Sequence, residues 1–274
     1  MLQSKAMLAT LSISAWTARK QDKAVSAEVE RSHGAHDAGK YNKLLINKAL
    51  LDPITKLAGQ IREYHYFNTL AWADSGARLL PTKLFLEYTA KIRGFKEQFS
   101  KLVLAFKAEY PAEVQAARVR LGTMYNPGDY PEAWQLDDRF SVNLEFTPVP
   151  DAQDFRVDVS AEAQAELRDS VTKAVAARQA DAVKATFARV RDVVSKISDR
   201  LSKDDPIFKD TLITNAENLC TVLDALNITN DPQITLVQDT ILHSLIVSPA
   251  DLRTSQTLRK DVARKAEEIL GMLP

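Results

Sequence analysis

A single cysteine, Cys220, rules out an intrachain disulfide. One lone thiol suits a reducing compartment, and 274 residues bury a core without covalent staples. Glycine is scarce and scattered, with eight residues in all, and no stretch reads G-x-x-x-x-G-K-[ST] or G-x-G-x-x-G. The backbone cradle for phosphates is therefore missing. H-E-x-x-H and G-x-S-x-G are missing as well, so neither zincin nor nucleophile-elbow chemistry is indicated. No apolar run approaches the roughly 20 residues that span a bilayer. The stretch after Lys5 is broken by Ser12 and Ser14 and followed by Arg19-Lys20, which makes a poor signal peptide. The expectation is a soluble, cytoplasmic protein.

Excess charge is also missing: 36 Lys and Arg balance 36 Asp and Glu. That argues against a surface built throughout to neutralise phosphates. The balance hides an asymmetry. Residues 1–50 carry eight basic and four acidic side chains, whereas 129–170 carry three and eleven. Either the two regions compensate one another, or the surface has separate basic and acidic patches.

What is present is helical periodicity. Tyr88, Ile92, Phe95, Phe99, Leu102 and Phe106 alternate spacings of four and three, a heptad-like seam in a helix after Pro81. That helix should end near Tyr110-Pro111, with a shorter one continuing to Leu121. From Ala161 to Leu201 the chain has no glycine or proline, and Phe187, Val190, Val194, Ile197 and Leu201 form a second seam. A helix of that length extends about 60 Å, so part of it projects or packs on another long helix. Asp52-Pro53, Asp205-Pro206, Asp231-Pro232 and Ser248-Pro249 each read as an N-cap followed by a first-turn proline. Ser248 with Asp251 resembles a capping box. The last three open helices over 206–226, 232–247 and 249–272.

Strand signals are few. Phe140, Val142, Leu144 and Phe146 alternate with polar residues, and Phe155, Val157 and Val159 alternate again. Residues 140–146 and 155–159 are expected as an antiparallel pair. A strand or a helix start over 10–16 supplies a third member or none. Residues 20–40 read as a loop or a short exposed helix. The fold class predicted is mostly α: long helices in a bundle or helical hairpin, with a small antiparallel β-sheet. The chain divides into 1–160, helical with the small sheet, and 161–274, a helical bundle, or forms one continuous body.

No residue pattern points to a catalytic group, cofactor or metal. His33, His36 and Asp37 lie close together, but no further ligand is near, and a solvated loop is expected. Cys220 sits among apolar neighbours and reads as a buried structural thiol. Asp137-Asp138 and Asp204-Asp205 read as helix-end or surface carboxylates. Asn215 falls in register with Phe208, Leu212, Leu219 and Leu226, either fixing register on an apolar seam or bonding a backbone carbonyl. Two residue sets remain. Tyr88, Ile92, Phe95, Phe99, Phe187, Val190, Val194 and Ile197 are candidates for a helix interface. Trp16, Arg19, Lys20, Arg259, Lys260 and Arg264 are candidates for contact with single-stranded nucleic acid, with Tyr41 available for stacking.

Several short motifs occur in order. They are Ser14-Ala15-Trp16-Thr17-Ala18-Arg19-Lys20, Leu50-Leu51-Asp52-Pro53, Met124-Tyr125-Asn126-Pro127 through Tyr130-Pro131, then Phe140, Pro148-Val149-Pro150-Asp151 and Asp154-Phe155-Arg156-Val157. In these the chain resembles an uncharacterised family of bacteriophage and prophage proteins. The resemblance implies an intracellular phage product in the host cytoplasm, with relatives encoded near ring-forming ATPases and their adaptors, and implies no activity. Two functions are expected from these readings together. One is a non-enzymatic interaction protein that oligomerises or docks onto a partner through long helices. The other is an accessory of phage replication or recombination that binds single-stranded DNA.

Overall fold

The computed structural model describes residues 2–153, 160–204 and 206–274. It is mostly α with a minor β component. In chain order the strands and α-helices are β1 (Ala6–Ser14), β2 (Arg19–Gln21), α1 (Lys23–His33), β3 (Asn42–Leu44), α2 (Lys48–Asn68), β4 (Leu70–Ala71), β5 (Ala77–Pro81), α3 (Phe85–Leu121), β6 (Ser141–Thr147), α4 (Ala161–Leu201), α5 (Thr211–Leu226), α6 (Pro232–Ser244), α7 (Pro249–Thr254) and α8 (Gln256–Met272). No helix among the described residues is long and apolar enough to cross a membrane.

The chain forms two compact units that interleave in sequence. The first comprises Met1–Thr10, Tyr66–Glu87 and Glu145–Pro274; the second comprises Leu11–His65 and Tyr88–Leu144. The division therefore does not follow the 160/161 position, since N-terminal segments join the C-terminal helices.

The core of the first unit is aliphatic. Phe187, Val190, Val194, Ile197 and Leu201 of α4 close on Ile213, Leu219 and Leu223 of α5, Ile234 and Ile241 of α6, and Val262, Ala266 and Ile269 of α8. The α4 seam is thus filled by the chain's own helices. A second cluster joins Leu8 of β1, Leu70 and Leu79 of the β4–β5 pair, Ala182 of α4 and Leu226 of α5. The four-stranded sheet runs β4-β5-β1-β6; β1 pairs antiparallel with β5 from Ala6↔Pro81 to Thr10↔Ala77. Gly76, at φ +89°, supplies the left-handed turn between β4 and β5. Asn227 holds the α5–α6 corner, its amide donating to the carbonyl of Asp231 and its oxygen accepting from the N–H of Asp231.

The core of the second unit is aromatic. Tyr64 of α2 stacks on Tyr88 of α3 with ring centroids 5.8 Å apart and meets Phe95 edge-on. Phe106 meets Phe140 and Tyr110. Leu51, Ile54, Leu57 and Ile61 bury the opposite stretch of α2. The α1 helix buries no side chain, yet it is well capped. Asp22 accepts from the N–H groups of Ala24 and Val25, and Gly34 closes the helix in the left-handed region. Residues 20–40 therefore follow the exposed-helix alternative. The strand alternative holds near the N-terminus, but the strand starts at Ala6, four residues before the expected 10–16.

Other boundaries depart from expectation where a proline or serine was given the wrong role. Helix α2 starts at Lys48, not at Asp52-Pro53, because Asn47 caps it first, accepting from the N–H of Ala49. Pro53 lies inside the helix. Helix α3 passes through Pro111 to Leu121 without a break. The helix expected from 206 begins at Thr211. Ser248 makes no side-chain cap bond, so the expected capping box is not formed, and the expected 249–272 helix is broken at Ser255. Asn215 is exposed; the buried line on α5 is Ile213, Ala216, Leu219, Cys220 and Leu223. The proposed partner strand at 155–159, like the Asp205 cap, lies outside the described residues.

Candidate functional site

The most deeply buried ion-pair cluster among the described residues is in the second unit. Lys43, on β3, is 6% exposed. Its Nζ lies 2.9 Å from Asp129 and 3.4 Å from Asp22, and donates to the carbonyl of Met124. Desolvation opposes its charge, but hydrogen bonds and charges from Asp129 and then Asp22 outweigh it and hold the ammonium above the ordinary lysine range. The same region is tied down by Arg120, which donates to the carbonyls of Leu44 and Leu45, and by the Tyr130 hydroxyl, which donates to that of Leu45. Burial pushes the phenols of Tyr110 and Tyr130 up to about 12. All three donor directions of Lys43 are spent, so the cluster is a clasp that holds the β2–β3 pair in place.

In the first unit the strongest feature is Arg189 of α4. Its guanidinium donates to the carbonyls of Tyr66, Phe67 and Thr69, satisfying the C-terminal end of α2. Burial, and then the charge of Arg78, lowers its pKa to about 10. Cys220 is buried, and desolvation raises its thiol to about 11, the opposite of what a nucleophile needs. His243 is exposed, with Nδ1 against the carbonyl of Asp239. Among the described residues no three His, Cys, Asp or Glu side chains gather as a metal site.

The residues considered for nucleic acid fall in different units and have different roles. Trp16 is half-buried, edge-on to Phe106 and Tyr110, with the Arg139 guanidinium over its ring. Arg19 and Lys20 are exposed on β2 in the same unit, and Tyr41 is also exposed. In the first unit Arg259 donates to the carbonyls of Leu252 and Arg253 at the end of α7. Arg264 pairs with Asp261 and Glu268, and Lys260 is exposed. Of the helix-interface candidates, Tyr88, Ile92, Phe99, Phe187, Val190, Val194 and Ile197 are buried within the chain, and Phe95 is half-buried against Tyr64. These stripes are already used in intrachain packing.

Two surfaces remain. On α4, no side chain from Ala161 to Asp181 is buried, whereas eight are between Ala182 and Leu201. Leu167 and Val171 mark the apolar side of that unburied half, with Leu167 38% exposed. Val175 packs at the core margin, and Arg178 lies over Trp72. In the second unit, α3 and the stretch entering β6 form an open groove of about 350 Å³. Its α3 wall presents Lys96, Phe99, Val103, Leu104 and Lys107, spaced as one helix face. Sequence periodicity points to buried stripes and not to grooves between distant segments, so only the helical spacing of this wall was legible beforehand. Comparisons with protein-family models, with curated proteins and with solved structures found no match.

Proposed function

We propose that this chain is an interaction protein without chemistry of its own, which docks onto a protein partner through its long helices. The observation that carries the reading is the unburied half of α4. All the buried side chains of this 41-residue helix lie in its C-terminal half; before Val175, which packs at the core margin, Ala161–Ala174 has no buried side chain. About 20 Å of regular helix with Leu167 and Val171 on one side is a surface that a partner helix or groove can cover. The resemblance to bacteriophage and prophage proteins extends the proposal to a phage product in the host cytoplasm, with a component of a ring-forming ATPase system as the partner.

The test is a tagged full-length chain used as bait in infected cells, beside a Leu167→Asp/Val171→Asp variant. Both positions lie outside the core, so the variant should keep the wild-type helical content and melting temperature. A partner held by the wild type and lost by the variant supports the reading. Equal capture by the two baits, or turnover of any substrate by the purified chain, overturns it. The single-stranded-DNA alternative draws its support from Arg19, Lys20 and Tyr41, exposed in one unit. It is the weaker reading, because Trp16, Arg259 and Arg264 already have intrachain partners.

A further inference from the structure

Residues 19–44 leave and rejoin the second unit while burying almost nothing. They carry β2, α1 and β3, and the one buried residue among them is Lys43. The stretch is pinched shut at its base. There the N–H of buried Leu45 donates to the carbonyl of buried Ala18 at 2.8 Å. Ala18 stands at φ +47°, a left-handed conformation that costs a residue with a Cβ. Apolar burial is the dominant force holding an element in place. A segment without it belongs to the low-stability end of a fold, where local opening occurs.

What fastens the stretch is polar, and it divides into two sets. One set is internal. The β2–β3 ladder runs from Arg19↔Leu44 to Gln21↔Asn42, and the N–H of Asp22 donates to the carbonyl of Tyr41. The Ser26 hydroxyl accepts from the N–H of Tyr41, and the Glu30 carboxylate from the N–H of Ala38. The Asp22–Lys43 pair is internal as well. The other set reaches outward and, among the described residues, meets one short part of the chain. Lys43 pairs with Asp129 and donates to the carbonyl of Met124, and Arg120 donates to the carbonyl of Leu44. The internal bonds survive a movement of the whole stretch, whereas the outward ones break together.

We propose that residues 19–44 are a flap that opens as one piece on the Ala18–Leu45 base, with Lys43 as its latch. The flap lies closed over the segment from Met124 to Asp129. Opening gives the Lys43 ammonium, the Asp129 carboxylate and the Met124 carbonyl to water, and it exposes little apolar surface. Hydration therefore offsets much of what the broken contacts contributed, which is the energetic profile of a reversible movement. Ala18 gains by leaving its left-handed conformation, which places the hinge there. The device belongs to the second unit and does not depend on docking through α4.

The test is native-state hydrogen exchange of the full chain, read by mass spectrometry at several low denaturant concentrations. Amides of α1 and the β2–β3 pair should be less protected than those of Ile54–Ile61 in α2 by about a hundredfold or more. Their exchange should depend only shallowly on denaturant, because little surface is uncovered. Lys43→Met should lower the protection of α1 by about tenfold or more, although Lys43 lies outside that helix. Ile61→Val should lower protection in α2 and leave α1 unchanged, because it weakens the core whether the flap is open or shut. Three results overturn the proposal. The α1 amides could be as protected as those of α2, or fall with them in Ile61→Val, which means that the stretch opens only with the whole unit. Indifference of α1 to Lys43→Met means that the helix frays by itself. If Lys43→Met fails to fold, the wild type and Ile61→Val still decide.

Discussion

Lys43 illustrates how much a single side chain does here and how little announces it. Its two carboxylate partners come from the turn before α1 and from the loop after α3, far away in sequence. No local pattern singles out a lysine in a polar stretch as buried. Removing it leaves two carboxylates facing each other without a counter-charge, and breaking a desolvated pair in this way is costly. Lys43→Met should lower Tm at neutral pH by about 5 °C or more, read by circular dichroism. The pH dependence has two limbs. The N–H of Val25 is the largest influence lowering the Asp22 carboxyl below 3.8; desolvation opposes it, and Lys43 adds to the lowering. Its contribution is therefore present above the unfolded value and is lost as pH falls through the folded one. Lys43 is held above 10.5, so its contribution is complete below 10.5 and is lost as pH rises through the higher folded value. The variant should flatten the alkaline limb and weaken the acid one. An unchanged Tm-versus-pH curve would show that the clasp contributes nothing.

At the scale of elements, the fold was legible wherever period and burial agree. Phe187 to Leu201 reads as one buried stripe and is one, because the 3.6-residue repeat and the core face coincide along α4. The alternation from Phe140 appears as β6, although no residue within that strand is buried and Phe146 is exposed. Legibility failed at punctuation, where local chemistry permits more than one outcome. Pro53 and Pro111 looked like boundaries, yet both lie inside helices. Each costs one backbone hydrogen bond, and the apolar faces around them, Leu51 to Ile61 and Phe106 to Leu121, outweigh that loss. Two serines near the C-terminus give the complementary case. Ser248 precedes a proline and looks like a cap but accepts no bond, while Ser255 accepts from the N–H of Leu258 and starts α8. Ser255→Ala should therefore cost about 1 kcal/mol in chemical denaturation and Ser248→Ala less than about 0.5 kcal/mol. The reverse order would mean that 249–272 is the single helix its periodicity suggests.

For the molecule as a whole, the division into units was the least legible feature, because it depends on which distant segments share a core. Leu8, Leu79 and Leu226 carry no mark that they belong together. The candidate surfaces were hidden for a related reason. The apolar stripes that stood out in sequence were the ones consumed in packing, so what remains exposed, Leu104, Trp134 and Leu167, follows no strong period. Charge at this scale bears on the choice between partners. The chain is neutral overall, and Arg264 and Lys43 are matched by neighbouring carboxylates. Binding of a phosphate backbone gains from releasing counterions, in proportion to the cationic groups free to replace them, and fades steeply with salt. With Arg259 and Arg264 engaged in the first unit, the second unit offers Arg19 and Lys20 as its exposed members of the candidate set. A labelled single-stranded oligonucleotide should accordingly show no mobility shift with micromolar protein at low salt. A tight complex that dissolves as salt rises, and that Arg19→Ala/Lys20→Ala abolishes, would move the function from protein docking to nucleic-acid binding.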